Sequence, residues 1–260
     1  DMESRNFEVI SGPSKIDSAS ILPMLQDSQS QRLLRALEAF SATLKFYGFE
    51  VAPYNEESLR QLPSVSHEKR GLLATHYEQW NSWIQPQNGE IAPGKIDGNK
   101  ERVFAERALS HFNLKVDEEF WKTLTSDQII EIYGSDMIQL YRNLNFFRFC
   151  SYSLLEISIN EWYNLWERPS FVMKEIFSAV EVVLGHFIPV MPYRIPRHLL
   201  REKKRISEFP ELAAPRSCLV DFKYIASLRR DGNPKPAGAI VTASASLVAE
   251  GDAAFEVQFV

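Results

Sequence analysis

Two different hydrophobic rhythms divide this chain. Over residues 28–47, Leu33, Leu34, Leu37, Phe40, Leu44 and Tyr47 recur at helical spacing, with Arg32, Arg35, Glu38 and Lys45 on other bearings of the wheel. Ser28-Gln29-Ser30-Gln31 reads as a capping box at the start of that helix, and Gly48 suits its stop. Beyond Pro53 and Pro63, residues 66–84 carry a second stripe of Leu73, Tyr77, Trp80 and Ile84, with Trp83 beside it. Two prolines and three glycines make residues 85–98 a loop. Further helices are predicted over 100–112 and 117–124, and residues 1–26 read as a turn-rich arm. Residues 27–120 thus form a helical region, its stripes hidden against one another or against a neighbour.

The rhythm then shortens. Residues 129–133 and 137–141 are strand-like, and Gly134-Ser135-Asp136 between them predicts a hairpin. Short helical pieces follow over 144–166. Pro169 suits the first turn of a helix that runs to Gly185, with Phe171, Ile176, Val180 and Val183 or Leu184 as its apolar side. Residues 186–215 hold five prolines and read as an irregular basic insertion. Alternation returns over 217–229, 239–249 and 255–260, with Asp231-Gly232-Asn233-Pro234 as a turn. Two strands, several helices and three strands make an α+β order.

Composition narrows the function without naming it. The 260 residues fit one large domain or two ordinary ones, and 45% hydrophobic with 24% charged residues is an ordinary globular balance. A formal net charge of -5 argues against nucleic acid as the default partner. The two cysteines, Cys150 and Cys218, sit in apolar runs, offer no disulfide framework and lack zinc spacing, as expected of buried thiols in a reducing compartment. No apolar run approaches the ~20 residues of a membrane helix, and Met2-Glu3-Ser4-Arg5 lacks an apolar signal core. A cytoplasmic protein without a membrane span is expected.

The stretch from Leu140, LYRNLNFFRFCSYSLLEI, places Asn143, Phe146, Tyr152, Ser153 and Glu156 at the spacings of a PAS domain, where a strand runs into an asparagine and then a Gly-Tyr-Ser-x-x-Glu-Leu stretch. Ser151 stands where that pattern has its glycine, and Ile159 where it has a second. SINEWYNLWERPS resembles the aromatic segment ahead of the long connecting helix, and Arg229-Arg230-Asp231-Gly232 is similar to the hairpin between the last long strands. Residues 121–260 therefore resemble a PAS-like domain. The resemblance implies a five-stranded antiparallel sheet with helices on one face, a small pocket, and a regulatory sensor that binds a small ligand or works through a protein partner or homodimer. A non-ligand-binding interaction adaptor, its fold filled by its own side chains, and an unrecognised enzyme are the alternatives.

Candidate chemistry is sparse. Phe146, Phe147, Phe149, Tyr152, Trp162, Tyr163, Trp166 and Phe171 are either a core or the wall of a ligand pocket, with Ile176 on the facing helix and Asn143, Asn145 and Tyr152 as polar handles. His186, at the end of that helix, is either a haem ligand by the resemblance or a cation against the helix dipole. The sequence requires no cofactor, and Asn160-Glu161-Trp162-Tyr163 lacks the cysteine of flavin photochemistry. Arg194, Arg197, Arg201, Lys203, Lys204 and Arg205 form either a basic docking patch or the solvated face of a short amphipathic helix. No catalytic or metal-binding motif is found, since His67-Glu68 and His76 do not share one helix face. An enzyme would place its titratable groups around His111, Glu118 and Glu119, or around His186 and His198.

Overall fold

The computed structural model describes residues 27–85, 98–203 and 215–248. The expected arm (1–26), most of the expected loop at 85–98 and the last predicted strand (255–260) lie outside those residues.

Helix α1 (Ser28–Phe46) starts one residue earlier than its serines suggested. Its N-cap is Asp27, whose carboxylate accepts hydrogen bonds from the Ser30 amide at 3.0 Å and the Ser30 hydroxyl at 2.9 Å. A carboxylate suits this place better than a hydroxyl, because it meets the helix dipole and lies 3.3 Å from the Arg70 guanidinium. At the other end Gly48 has φ +86°, and the amides of Gly48 and Phe49 return to Lys45 O and Leu44 O. Helix α2 (Glu56–Gln61) is capped by Asn55 and Ser58, and α3 (His67–Ile84) by Ser66. Helices α1 and α3 pack through Phe40 against Tyr77 and Trp80, with ring centroids 5.4 and 4.7 Å apart. Helices α4 (Gly98–His111) and α5 (Glu118–Trp121) complete this region.

The hairpin β1 (Ile129–Gly134) and β2 (Gln139–Arg142) forms as expected. A 3-10 turn (Leu144–Arg148), α6 (Leu154–Ile159) and α7 (Trp162–Leu165) lead to β3 (Trp166–Glu167). Helix α8 (Ser170–Gly185) is entered through Pro169, which stands at the N-cap and not within the first turn. Strands β4 (Met191–Pro192), β5 (His198–Glu202), β6 (Ser217–Arg229) and β7 (Pro236–Leu247) follow. The fold is α+β: a seven-stranded antiparallel sheet in the order β2-β1-β7-β6-β5-β3, with β4 also pairing β6.

The irregular insertion expected over 186–215 therefore contains two strands, and the short helix expected over the basic run is instead β5. His198, Leu200 and Glu202 turn one way and Leu199 and Arg201 the other, a period of two that only pairing with β6 makes stable.

Both faces of the sheet are covered. Ile130, Ile132, Ile240, Ala226 and Leu228 join the core shared with α1, α3 and α4. Ala239, Val241 and Ile225 lie under Val172, Ile176, Val180 and Val183 of α8. A bulge between Phe222 and Tyr224 moves β6 by one residue, so Val220 and Phe222 share the α8 face with Ile225. Sheet closure depends on one small residue. Gly238 pairs with Gly134, and a Cβ there would lie 2.3 Å from the Tyr133 carbonyl oxygen. Gly238→Ala is expected to destabilise by about 1–3 kcal/mol in urea unfolding, because backbone cannot yield as a side chain does. Unchanged stability would show that β1 and β7 can part there.

Candidate functional site

Between α8 and the sheet face carrying Ile129, Glu131, Tyr133, Ala239, Val241 and Ala243 lies a cavity of about 100 Å³. Ile176 and Val180 roof it, Val220, Phe222 and Leu200 wall it, and Phe146 and Trp166 close one end. Alternation places these side chains. In β1 the odd positions face α8 while Ile130 and Ile132 face the helical region.

Polar groups enter this apolar wall at five points: Glu131, Tyr133, Arg142, Arg168 and Tyr193. Glu131 and Arg142 are cross-strand partners in the hairpin, with Arg142 Nε donating to Glu131 Oε1 at 3.0 Å. The same carboxylate accepts from Gln139 Nε2 at 3.1 Å and from the Tyr133 hydroxyl at 3.1 Å. Arg142 is only 5% exposed, and its guanidinium carbon sits 3.7 Å from the Phe146 ring centroid and 5.9 Å from that of Trp166. Among the described residues no acceptor bonds its two Nη atoms or the Tyr193 hydroxyl. Burial pushes the Tyr133 and Tyr193 phenols above their ordinary range, so both stay neutral. Burial also lowers the Arg168 guanidinium from its ordinary value, although Glu131 opposes that shift.

Of the residues expected to line a pocket, Phe146, Trp166 and Ile176 stand on this cavity wall. Asn143 does not. It is fully buried, and its side chain accepts from the Ile130 amide at 3.0 Å and donates to Gln128 O at 2.9 Å, closing the end of the hairpin. Asn145 likewise donates to Ser126 O and Gln128 O. Phe149 is half-buried in the neighbouring apolar core. The Tyr152 hydroxyl donates to Leu165 O at 2.5 Å and accepts from the Lys203 amide at 2.9 Å, tying the segment before α6 to the end of β5. The side chains of Trp162 and Tyr163 lie outside the described ones.

His186 is exposed at the end of α8 and off the cavity wall, so the geometry does not suit it to ligate a haem there. Arg194, Arg197, Arg201 and Lys203 are exposed around β5, with Arg197 Nη2 donating to the Ser246 hydroxyl at 2.9 Å; Lys204 and Arg205 lie outside the described residues. His198 leaves the basic run altogether. It is 1% exposed and stacks on Phe222 at 5.8 Å, and burial lowers its pKa. The members of the two histidine sets considered for catalysis stand in different surroundings. His198 is buried while His186 is exposed, and His111 packs on Trp83 and Phe112 while Glu118 is held by Arg102 at 3.2 Å. Among the described residues no group of three His, Cys, Asp or Glu side chains is placed to hold a metal ion. No described helix is long and apolar enough to cross a membrane.

Sequence reasoning missed the polar half of the cavity. Glu131 and Tyr133 break the apolar run of a buried strand, a signal in plain view, but Arg168 and Tyr193 come from connections whose course only the fold defines. Comparisons with protein-family models, with curated proteins and with solved structures return no match for this chain.

Proposed function

We propose that the chain is a regulatory sensor of the cytoplasm, its C-terminal half a PAS-like domain that binds a small molecule and its helical N-terminal region the element that reads the bound state. The observation that carries this reading is the cavity between α8 and the sheet, apolar with a few convergent polar groups, which is the usual make-up of a ligand site. The element order supports it too. With the two-residue strands β3 and β4 set aside, five longer strands lie side by side as β2-β1-β7-β6-β5, and α8 crosses one face.

A route to the helical region exists in the hairpin that supplies Glu131 and Arg142. Asn143 follows β2 directly, and the next two amides, of Leu144 and Asn145, donate to the Glu101 carboxylate of α4 at 3.4 and 3.2 Å. Movement of Arg142 on binding would reach α4 through that contact.

The test is native mass spectrometry of freshly purified protein, paired with an ultraviolet-visible spectrum and a thermal-shift screen of small molecules. A bound mass, a chromophore or a ligand-dependent rise in Tm supports the sensor. A clean apo mass with no response across the screen overturns it and leaves the adaptor, with its cavity as a packing void. The same spectra report whether the chain pairs with itself.

A further inference from the structure

We infer that the cavity selects a small uncharged ligand whose apolar body carries a single hydrogen-bond acceptor of the carbonyl kind, met by Arg142 and the Tyr193 hydroxyl. The inference rests on the sensor reading above and adds the class of ligand to it.

Hydrogen bonding is the first argument, because the acceptors of the wall are used up within the protein. Glu131 Oε1 accepts from Arg142 and Gln139, and Oε2 accepts from the Tyr133 hydroxyl. That hydroxyl in turn accepts from Gln139 Nε2 at 2.9 Å, so Tyr133 is engaged both as donor and as acceptor. Donors are left over. Among the described residues no acceptor bonds the two Nη atoms of Arg142 or the Tyr193 hydroxyl, and both residues stand on the cavity wall. Stacking on Phe146 fixes the plane of the guanidinium. A carbonyl oxygen brings two lone pairs and no proton, which is what such donors lack.

Charge argues for a neutral molecule. Arg142 already faces the Glu131 carboxylate at 3.0 Å, so an anion at its Nη atoms would sit beside a like charge. Arg168, the second cation of the wall, lies in the field of the same carboxylate and has a further partner of its own. A cationic ligand would meet both guanidinium groups. Either ion would also give up its water to a wall that is otherwise apolar, which costs far more than burying a neutral carbonyl that finds its donors.

Volume sets the body. A water needs about 10–15 Å³ on this measure, so the cavity of about 100 Å³ takes roughly seven to ten water-sized units. The remaining wall, chiefly Ile176, Val180, Val220, Phe222 and Val241, is apolar. A single ring or a short chain bearing one carbonyl fits both limits.

The experiment titrates the full chain at neutral pH with four probes of nearly one shape: acetophenone, α-methylstyrene (in which a methylene replaces the carbonyl oxygen), benzoate and 1-phenylethylamine. The 13C-methyl resonance of Met137, on the cavity wall, reports both the place and the affinity of binding. The expected result is that acetophenone shifts Met137 and binds at least tenfold tighter than each of the other three. Tyr193→Phe, which removes a single oxygen, is expected to weaken acetophenone about three- to tenfold and to leave α-methylstyrene unchanged. The probe series decides the matter alone if that variant does not fold. Equal binding of acetophenone and α-methylstyrene at Met137 overturns the acceptor selection and leaves the cavity a binding site. Benzoate or the amine binding there as tightly as acetophenone overturns the preference for a neutral ligand and likewise leaves the sensor reading standing. Met137 unmoved by all four probes overturns the inference, and the thermal-shift screen then decides the sensor reading on its own.

Discussion

Replacing Arg142 alone by methionine is expected to destabilise the protein by about 3 kcal/mol or more, while Glu131→Gln combined with Arg142→Met is expected to recover most of that loss. The single substitution leaves the Glu131 carboxylate beside an apolar cavity with its cation gone, and breaking a buried pair from one side costs about 3–5 kcal/mol. Glu131 keeps 19% exposure against 5% for Arg142, which places the value at the lower end of that range. The double substitution removes the stranded charge and retains an amide oxygen for one of Tyr133 and Gln139, which bond different oxygens of the Glu131 carboxylate. Replacing both members of a buried pair is often neutral. Urea unfolding of the four proteins of the cycle measures this, read from midpoints at constant slope. A single-variant loss under about 1 kcal/mol would place the pair with solvent-exposed ion pairs, whose contribution is that small.

That pair also shows how far the sequence carried. The apolar half of the cavity was legible because its residues cluster in the chain or repeat along a helix: Phe146 and Trp166 flank the aromatic segment, and Ile176 lies on the stripe of α8. Its polar half was not. Glu131 and Arg142 meet only through hairpin register, and Tyr193 arrives from a connection that read as irregular. A period of two needs several residues to show itself, and β5 has five, in a run whose arginines and leucines also satisfy a helical wheel. The bulge at Phe222 blurred the alternation of β6 in the same way, since it places residues of opposite parity on one face. His198 is the sharpest reversal. Within the basic run the sequence offers it only as a titratable partner of His186 in an open cleft, yet pairing with β6 turns it inward against Phe222. The long helices and the hairpin carried their own local signals and came through nearly intact.

Glu101→Gln is expected to remove a pH dependence of stability spanning about pH 5 to 8. Glu101 is 2% exposed, and burial raises its pKa from 4.5 to about 8, against the opposing pull of the Leu144 and Asn145 amides that it accepts. A folded-state pKa above the unfolded one means the native chain holds the extra proton. That contribution is complete below the unfolded pKa and is lost as pH rises through the folded one. Across the window the loss proceeds at about 1.4 kcal/mol per pH unit, or roughly 3–5 kcal/mol in all. Glutamine, like the protonated acid, carries no charge, but it keeps an oxygen for only one of the two amides, which bond different oxygens of Glu101. The variant is therefore expected to carry a fixed cost near pH 4.5 and to gain on the parent progressively above. Other groups titrate in the same range, His76 among them with its pKa pushed down to about 4 by burial. Being common to both proteins, they cancel in the difference between the two urea-unfolding curves, measured at pH 5, 6.5 and 8. Parallel curves would mean that Glu101 is ionised in the native state throughout, its charge held by the amides that follow β2. A widening gap would mean that the contact between α4 and the cavity hairpin carries a proton at neutral pH, and that ionising it loosens the join through which the sheet meets the helical region.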